Sequence, residues 1–387
     1  MLEPCPVDAI GGTSYREHTI IRARHAALAL TCVAALAGGV TACGAVKQIS
    51  AANKVNTAFD KLDEGTSLSV KFSLDATPAQ LLAIDKLEPS DDGGMTALDA
   101  KQISGLGATL TLSAGKPLKD VFASGKSSSA QLDPALNFAL EVHAGDGKPL
   151  VEVREVHGLE YLRVDLDAVN KLSPIPGGTA GILKSFDGAP PAFAPLVDLV
   201  KGKWISIDPK KLTALTKSLS GTAGLPTPSA APSLDSATQN KLINALTGVF
   251  AQDVTLTDKG TVNGRDTIVV TAPARKLVAD LQKAVAPIAK DIPGIGSEFP
   301  TSAPTGVTTS KASADIVINK DGSLSKVSMD LGQLDPKAAK AKAQIPVSLS
   351  FDDHAAATTA PAGAVVFDPS ILQSMIKAFA SSPDLKG

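Results

Sequence analysis

Aromatic side chains are scarce in this chain, at 4% of residues with one tryptophan and two tyrosines. That is too few to build the stacking platforms that hold nucleic-acid bases or sugar rings. A dominant charge is missing too. Lys and Arg number 37 against 39 Asp and Glu, the net charge is −2, and no basic block stands out, which argues against a nucleic-acid partner. Of the five histidines only His143, His157 and His354 lie in the body of the chain, none at helical ligand spacing from another, so a histidine metal site is not expected. All three cysteines, Cys5, Cys32 and Cys43, fall near the N-terminus, so no disulfide framework can staple the rest. A chain of 387 residues that is 44% apolar must therefore fold on a hydrophobic core, as one large domain or two small ones.

The most apolar stretch runs from Ala26 to Ala42, AALALTCVAALAGGVTA, behind Arg22, Arg24 and His25. A basic flank, a short apolar run and small residues before a cut describe a secretory signal peptide. A spanning helix needs about 20 apolar residues, and this run carries Gly38 and Gly39 near its end. Val40, Thr41, Ala42 and Cys43 then resemble a bacterial lipobox, an aliphatic residue and two small ones before a cysteine. The resemblance implies a diacylglycerol in thioether linkage on Cys43, cleavage before it, and acylation of the new amino group. Two or three chains anchor stably where one does not. The plain alternative is a cysteine buried in an ordinary signal or anchor helix. Glu3, Asp8 and Glu17 are unusual in a signal n-region, and a start placed too far upstream accounts for them.

The expected organisation is a signal peptide over 1–42, a lipidated tether over 43–52, and one domain over 53–387. A helical period runs from Ile49 to Leu62, with Val55, Ala58, Phe59 and Leu62 on one side. At Ser67 the period changes to two: Leu68, Val70, Phe72 and Leu74 share one face, and Ser67, Ser69, Lys71 and Ser73 the other. About ten segments alternate in this way, from ATLTLS to IPVSLSFD, which predicts an extensive antiparallel sheet with one wet face. Hairpin turns are expected at GDGK 145–148, VNGRD 262–266 and NKDGS 319–323, with a less regular one at EVHGLE 155–160. Asp208–Pro209 and Asp368–Pro369 read as helix caps with proline at the first helical position, and LRVDLDAVNKL, SLDATPAQLLAI and VVTAPARKLVADLQKAV as looser strand-to-helix corners. Matching cap chemistry explains them more simply than an ancient duplication. Three stretches rich in Ala, Thr, Pro, Ser and Gly, at 221–235, 297–310 and 355–363, are expected to be mobile loop insertions.

The order of these elements, with the stretches LINALTGVFAQDVTLTDKGTVNGRDTIVVTAPARKLV (242–278) and DIVINKDGSLSKVSMDL (315–331), resembles the LolA-like lipoproteins of actinobacteria. That family's fold implies an α+β domain, a strongly curved antiparallel sheet forming a half-open barrel with helices across its concave face. It also implies binding of a lipid or other apolar ligand and its transfer within the cell envelope. From the residues alone, a hollow face and a solidly packed one stand equal.

No catalytic constellation emerges. Asp352, Asp353 and His354 could touch a cation but sit at a strand exit before a loop, and Asp91 and Asp92 beside Gly93 and Gly94 read as a loop. Ser113 with Lys116 and Ser323 with Lys326 match Ser-x-x-Lys, which works on a helix. Here both lie at strand ends, where residues three apart face opposite ways. There is no G-x-S-x-G, no P-loop and no dinucleotide fingerprint, so an enzyme is not expected and no cofactor is implied. Trp204 reads as a packing anchor at a strand edge, or as a residue lining a ligand mouth. The expectation is thus a lipoprotein on the outer face of a Gram-positive cell membrane, its partners being the bilayer, through Cys43, and an apolar ligand. The alternative is a structural or signalling envelope protein with a filled core and a protein partner. A transporter's solute-binding subunit ranks lowest, because its two lobes would show β-α-β alternation with continuously apolar strands.

Overall fold

The computed structural model describes residues 46–87, 94–122, 135–145, 147–172, 175–214, 236–289, 306–308 and 310–369. Twelve strands form one sheet: β1 Ser67–Leu74, β2 Gly107–Ala114, β3 Leu136–His143, β4 Pro149–Val156, β5 Leu159–Val164, β6 Ile205–Ile207, β7 Thr255–Val262, β8 Arg265–Pro273, β9 Lys311–Ile318, β10 Leu324–Asp330, β11 Pro346–Asp352 and β12 Val365–Phe367. From edge to edge their order is β12, β6, β5, β4, β3, β2, β1, β11, β10, β9, β8, β7. Two meanders, β1 to β6 and β7 to β11, are thus joined where β1 pairs with β11, and only β12 beside β6 is parallel. The fold is α+β, as expected, with a sheet that is not closed into a barrel.

The turns that hold the meanders follow from local chemistry. A two-residue turn of type I′, which matches strand twist, needs positive φ at both central residues. Asn263 and Gly264 supply it at 52° and 76°, and His157 and Gly158 at 52° and 77°. The second was expected to be less regular; histidine, like asparagine, tolerates the left-handed region, and the turn is as tight as the first. Between β9 and β10, Asn319 N–H donates to Ser323 O at 2.8 Å and Gly322 N–H to Asn319 O at 2.9 Å.

Helices occur between the strands: α1 Val46–Asp60, α2 Pro78–Asp85, α3 Ala97–Ile103, α4 Leu118–Phe122, α5 Leu166–Leu172, α6 Gly178–Lys184, α7 Ala194–Val200, α8 Ser236–Asp253, α9 Ala274–Ala289 and α10 Pro336–Ala341. Several start as the sequence suggests. Asp165 Oδ1 accepts from Ala168 N–H at 2.9 Å and Asp208 Oδ1 from Lys210 N–H at 2.9 Å, while Asp335, a cap outside those expectations, accepts through Oδ1 from Ala338 N–H at 2.7 Å. At α2 the cap is Thr77, in a reciprocal pair with Gln80. The chain after Asp368–Pro369 lies outside the described residues.

Every cluster of the core takes its strand residues from one face of the sheet. Under α1, α8 and α9 lie Leu256, Ile268, Val270, Ile316 and Val327; under α2 and α3, Leu74 and Ile345; against α4, Leu68, Leu112 and Leu136; against α7, Leu162, Ile205 and Phe367. Alternation along the strands puts these on a common side through the pairing register, with register shifts at Leu324/Lys326, Val142/His143 and Asp258/Thr261, so the molecule has a helical layer on its apolar face and a more polar face opposite.

Two expectations need correction. The tether over 43–52 is too long: α1 begins at Val46, and Ala51 and Ala52 are fully buried in the largest cluster. Small side chains that read as linker are here the residues that let a helix approach its neighbours closely. The segment 355–363 is not a loose insertion either. It crosses the polar face, with Ala355 O accepting from Ser67 Oγ at 2.7 Å, Thr358 N–H donating to Ser113 Oγ at 2.9 Å, and Thr359 O accepting from Arg154 at 3.3 Å, before it adds β12 to the edge. At the end of the 297–310 stretch, Val307 and Thr308 are buried, and Arg275 donates to Val307 O from Nε at 3.0 Å and Nη2 at 2.7 Å. The stretch 221–235 lies outside the described residues.

Candidate functional site

The apolar face is not evenly covered. One row of paired residues runs across eight strands, Phe351, Val70, Leu110, Leu140, Val153, Leu162, Ile205 and Val365, and every member is apolar. At the β6 end α7 buries Ile205, but at the centre Leu110 and Leu140, directly opposite each other, are each 37% exposed. Val70, Phe72, Phe138, Val142, Val153 and Leu349 around them are only half-buried. Helix α4 covers one end of β1 to β3, and helices α2 and α3 pack at the other end against Leu74 of β1 and Ile345 just before β11, so the exposed leucines lie on the floor of a trough between helical rims. Two further apolar side chains stand exposed on those rims, Phe122 on α4 and Leu98 on α3. A contiguous apolar surface framed this way is the kind of patch that soluble proteins reserve for binding.

One end of the trough is charged. The row that carries Leu68, Leu112 and Phe138 continues as Glu155 and Glu160, directly opposite each other on β4 and β5. Burial and then the neighbouring Glu160 push the Glu155 carboxyl above its ordinary range.

On the polar face the same strands build an ionic network. Glu152, 4% exposed, has Glu141 opposite it on β3 and Arg163 on β5. It pairs with Arg163, and Arg154 Nη2 lies 3.5 Å from it and 3.8 Å from Glu141. Both guanidiniums also lie over the Trp204 ring, at 4.8 Å and 5.4 Å from its centroid. A buried carboxylate held by two arginines, themselves stacked on an indole, locks four strands and the crossing segment together. Trp204 is thus a packing anchor, on the side away from the trough. Nothing in the sequence pattern announces this group, because register, not spacing, brings Glu152, Arg154, Arg163 and Trp204 together.

A second ionic group ties α1 to the β7–β8 hairpin, where Lys54 Nζ lies 2.8 Å from Asp258 Oδ2 and 2.7 Å from Asp266 Oδ2. Hydrogen bonds from Lys54, then from Gly260 N–H and the Thr261 hydroxyl respectively, hold both carboxyls below their usual range. Their folded pKa values are lower than the unfolded value of about 3.9, so their contribution to stability is complete above that value and disappears as pH falls through the folded ones. Thermal melts of the wild type are therefore expected to drop below about pH 4, and Lys54→Met should flatten this acid limb while lowering the plateau. A limb unchanged in Lys54→Met would show that other carboxylates control it.

The remaining candidates have structural roles. His143 Nε2 meets Thr109 Oγ1 at 2.9 Å, His157 occupies its turn, and His354 N–H donates to Asp352 Oδ1 at 3.0 Å in a surface turn. Ser113 is buried and accepts from Thr358, Lys116 reaches the Asp120 carbonyl at 3.4 Å, Ser323 bonds Asp321, and Lys326 lies 3.6 Å from Asp75. Neither serine is brought to its lysine. Among the described residues no group of three His, Cys, Asp or Glu side chains could hold a metal ion, and no helix is long and apolar enough to cross a membrane. Cys43, Asp91 and Asp92 lie outside the described residues. No protein-family model matches the chain, and no curated protein is significantly similar to it.

Proposed function

We propose that this chain is an envelope lipoprotein, held on the outer face of the cell membrane by acyl groups on Cys43, and that its domain binds a lipid or other apolar ligand without covalent chemistry. The observation that carries the ligand reading is the exposed centre of an otherwise apolar row, Leu110 opposite Leu140, between helical rims. Leaving the exposed third of each side chain in water costs about 0.5–1 kcal/mol relative to burial, a cost that an acyl chain laid along the row removes. The lipobox-like residues 40–43 and the LolA-like order of elements support the same reading. A carrier in this position moves its ligand within the envelope, and no metal or cofactor takes part.

Native mass spectrometry of protein purified without detergent tests it, together with solvent extraction of the same sample. Expected is a ligand mass that survives gentle desolvation and extracts as lipid. Protein that emerges ligand-free from several preparations, and takes up none from added phospholipid, would instead indicate that the trough is covered by a protein partner.

A further inference from the structure

The start of α1 fixes which side of the molecule meets the bilayer. Resting on the reading of Cys43 as the lipidated residue, only 44 and 45 separate the anchor from Val46, the first residue of α1, so the anchor lies within about 10 Å of the folded body. Helix α1 crosses the sheet from its β7 edge: Lys54 reaches Asp258 and Asp266 in the β7–β8 hairpin, and Lys61, just past the helix, reaches the Asp321 carbonyl at the β9–β10 turn. Its N-terminal turns therefore emerge beside β7, on the side of that hairpin.

The hairpin has the surface this position calls for. Residues 259–265, Lys-Gly-Thr-Val-Asn-Gly-Arg, are all exposed, and Val262 is 65% exposed at the tip. Lys259 and Arg265 flank it. The acids at its base, Asp258 and Asp266, are turned to Lys54. Ile49, on the first turns of α1, is 48% exposed. An apolar tip between two cations next to a membrane anchor matches the boundary between anionic headgroups and acyl chains.

We infer that the β7–β8 hairpin, through Lys259, Val262 and Arg265, docks on the anionic phospholipid surface of the membrane that holds Cys43, with Ile49 beside it. The β7 edge then faces the bilayer and the β12 edge faces away. Docking also shields an edge strand that otherwise leaves backbone groups unpaired.

Val366, on β12 at the opposite edge, is 68% exposed and serves as the matched control. Once Cys43 carries lipid and the leader is removed, the mature chain has no other thiol, so Val262→Cys and Val366→Cys each accept one environment-sensitive fluorophore. The acylated proteins are reconstituted in mixed phosphatidylcholine and phosphatidylglycerol vesicles that contain a spin-labelled lipid quencher. Expected is strong quenching with a blue shift at position 262 and neither at 366, the signal at 262 falling roughly tenfold with Lys259→Glu and Arg265→Glu together and weakening in high salt. Equal signals at the two positions, or a probe at 262 that reports water, would overturn the docking while the protein still floats with the vesicles. Failure to float at all defeats the anchoring reading first, and the docking with it.

Discussion

Leu110→Asp combined with Leu140→Asp is expected to empty the protein of lipid and leave it folded. The two leucines face each other on β2 and β3 at the centre of the apolar row, each 37% exposed, so the substitutions give up part of their packing and set two carboxylates directly opposite each other, a destabilisation of about 2–3 kcal/mol that a domain of ordinary stability survives. Their effect on a ligand is larger. Covering the exposed third of each leucine with an acyl chain contributes about 0.5–1 kcal/mol, and each carboxylate put in its place costs at least about 1 kcal/mol more to strip of water. A combined loss of at least about 3 kcal/mol corresponds to two decades in affinity, enough to remove the ligand during purification. Thr111→Asp is the control, because Thr111 lies on the same strand one residue from Leu110 but on the polar face, opposite Ala139. Its ligand occupancy should match the wild type. If the double variant is folded and keeps full occupancy, the ligand lies elsewhere.

This trough was legible in the sequence only in part. Period-two alternation in SLSVKFSLD, ATLTLS and NFALEVH assigns Val70, Leu110 and Leu140 to apolar faces, and the hairpin turns imply that β3 to β5 are neighbours. Register is another matter, because one residue of slip moves every side chain to the other face. The pairing of Val70 with Phe351, which joins the two meanders, closes a loop of more than half the chain and leaves no local trace. The same holds for Glu152, Arg154 and Arg163 around Trp204: alternation shows that they are polar positions, but only the ladder shows that they meet. For β12 it is the partner that leaves no trace: Val365–Phe367 before Asp368–Pro369 read as a strand-to-helix corner, but their parallel partner Ile205–Ile207 is far away in sequence. The crossing segment before it was misjudged because composition counts side chains, whereas Ser67, Ser113 and Arg154 hold its backbone.

The other large effect expected is at residue 43, and it separates location from cargo. Cys43→Ser should abolish incorporation of a labelled fatty acid and remove the acyl mass from the N-terminal peptide. A single acyl chain holds a protein to a bilayer with a constant of only about 10⁴ M⁻¹, whereas two or more give stable attachment. The thioether-linked diacylglycerol supplies two at one atom, so the hydroxyl of serine in its place removes the whole anchor. No helix among the described residues could substitute for it, and the hairpin at 259–265, with one apolar residue between two cations, gives contact but not retention. The variant cut from its leader should therefore move from the detergent phase to the aqueous phase, and intact mass identifies any uncut precursor held back by the apolar run 26–42. The domain should remain folded and still bind its ligand, because residue 43 precedes α1 and the trough is built from β1 to β5 and β11. Acyl label persisting in the variant, or a wild-type N-terminus upstream of residue 43 without acyl mass, would overturn the anchoring. Ligand lost together with the anchor would mean instead that loading takes place at the membrane surface, where Cys43 and the β7 edge hold the trough close to its source.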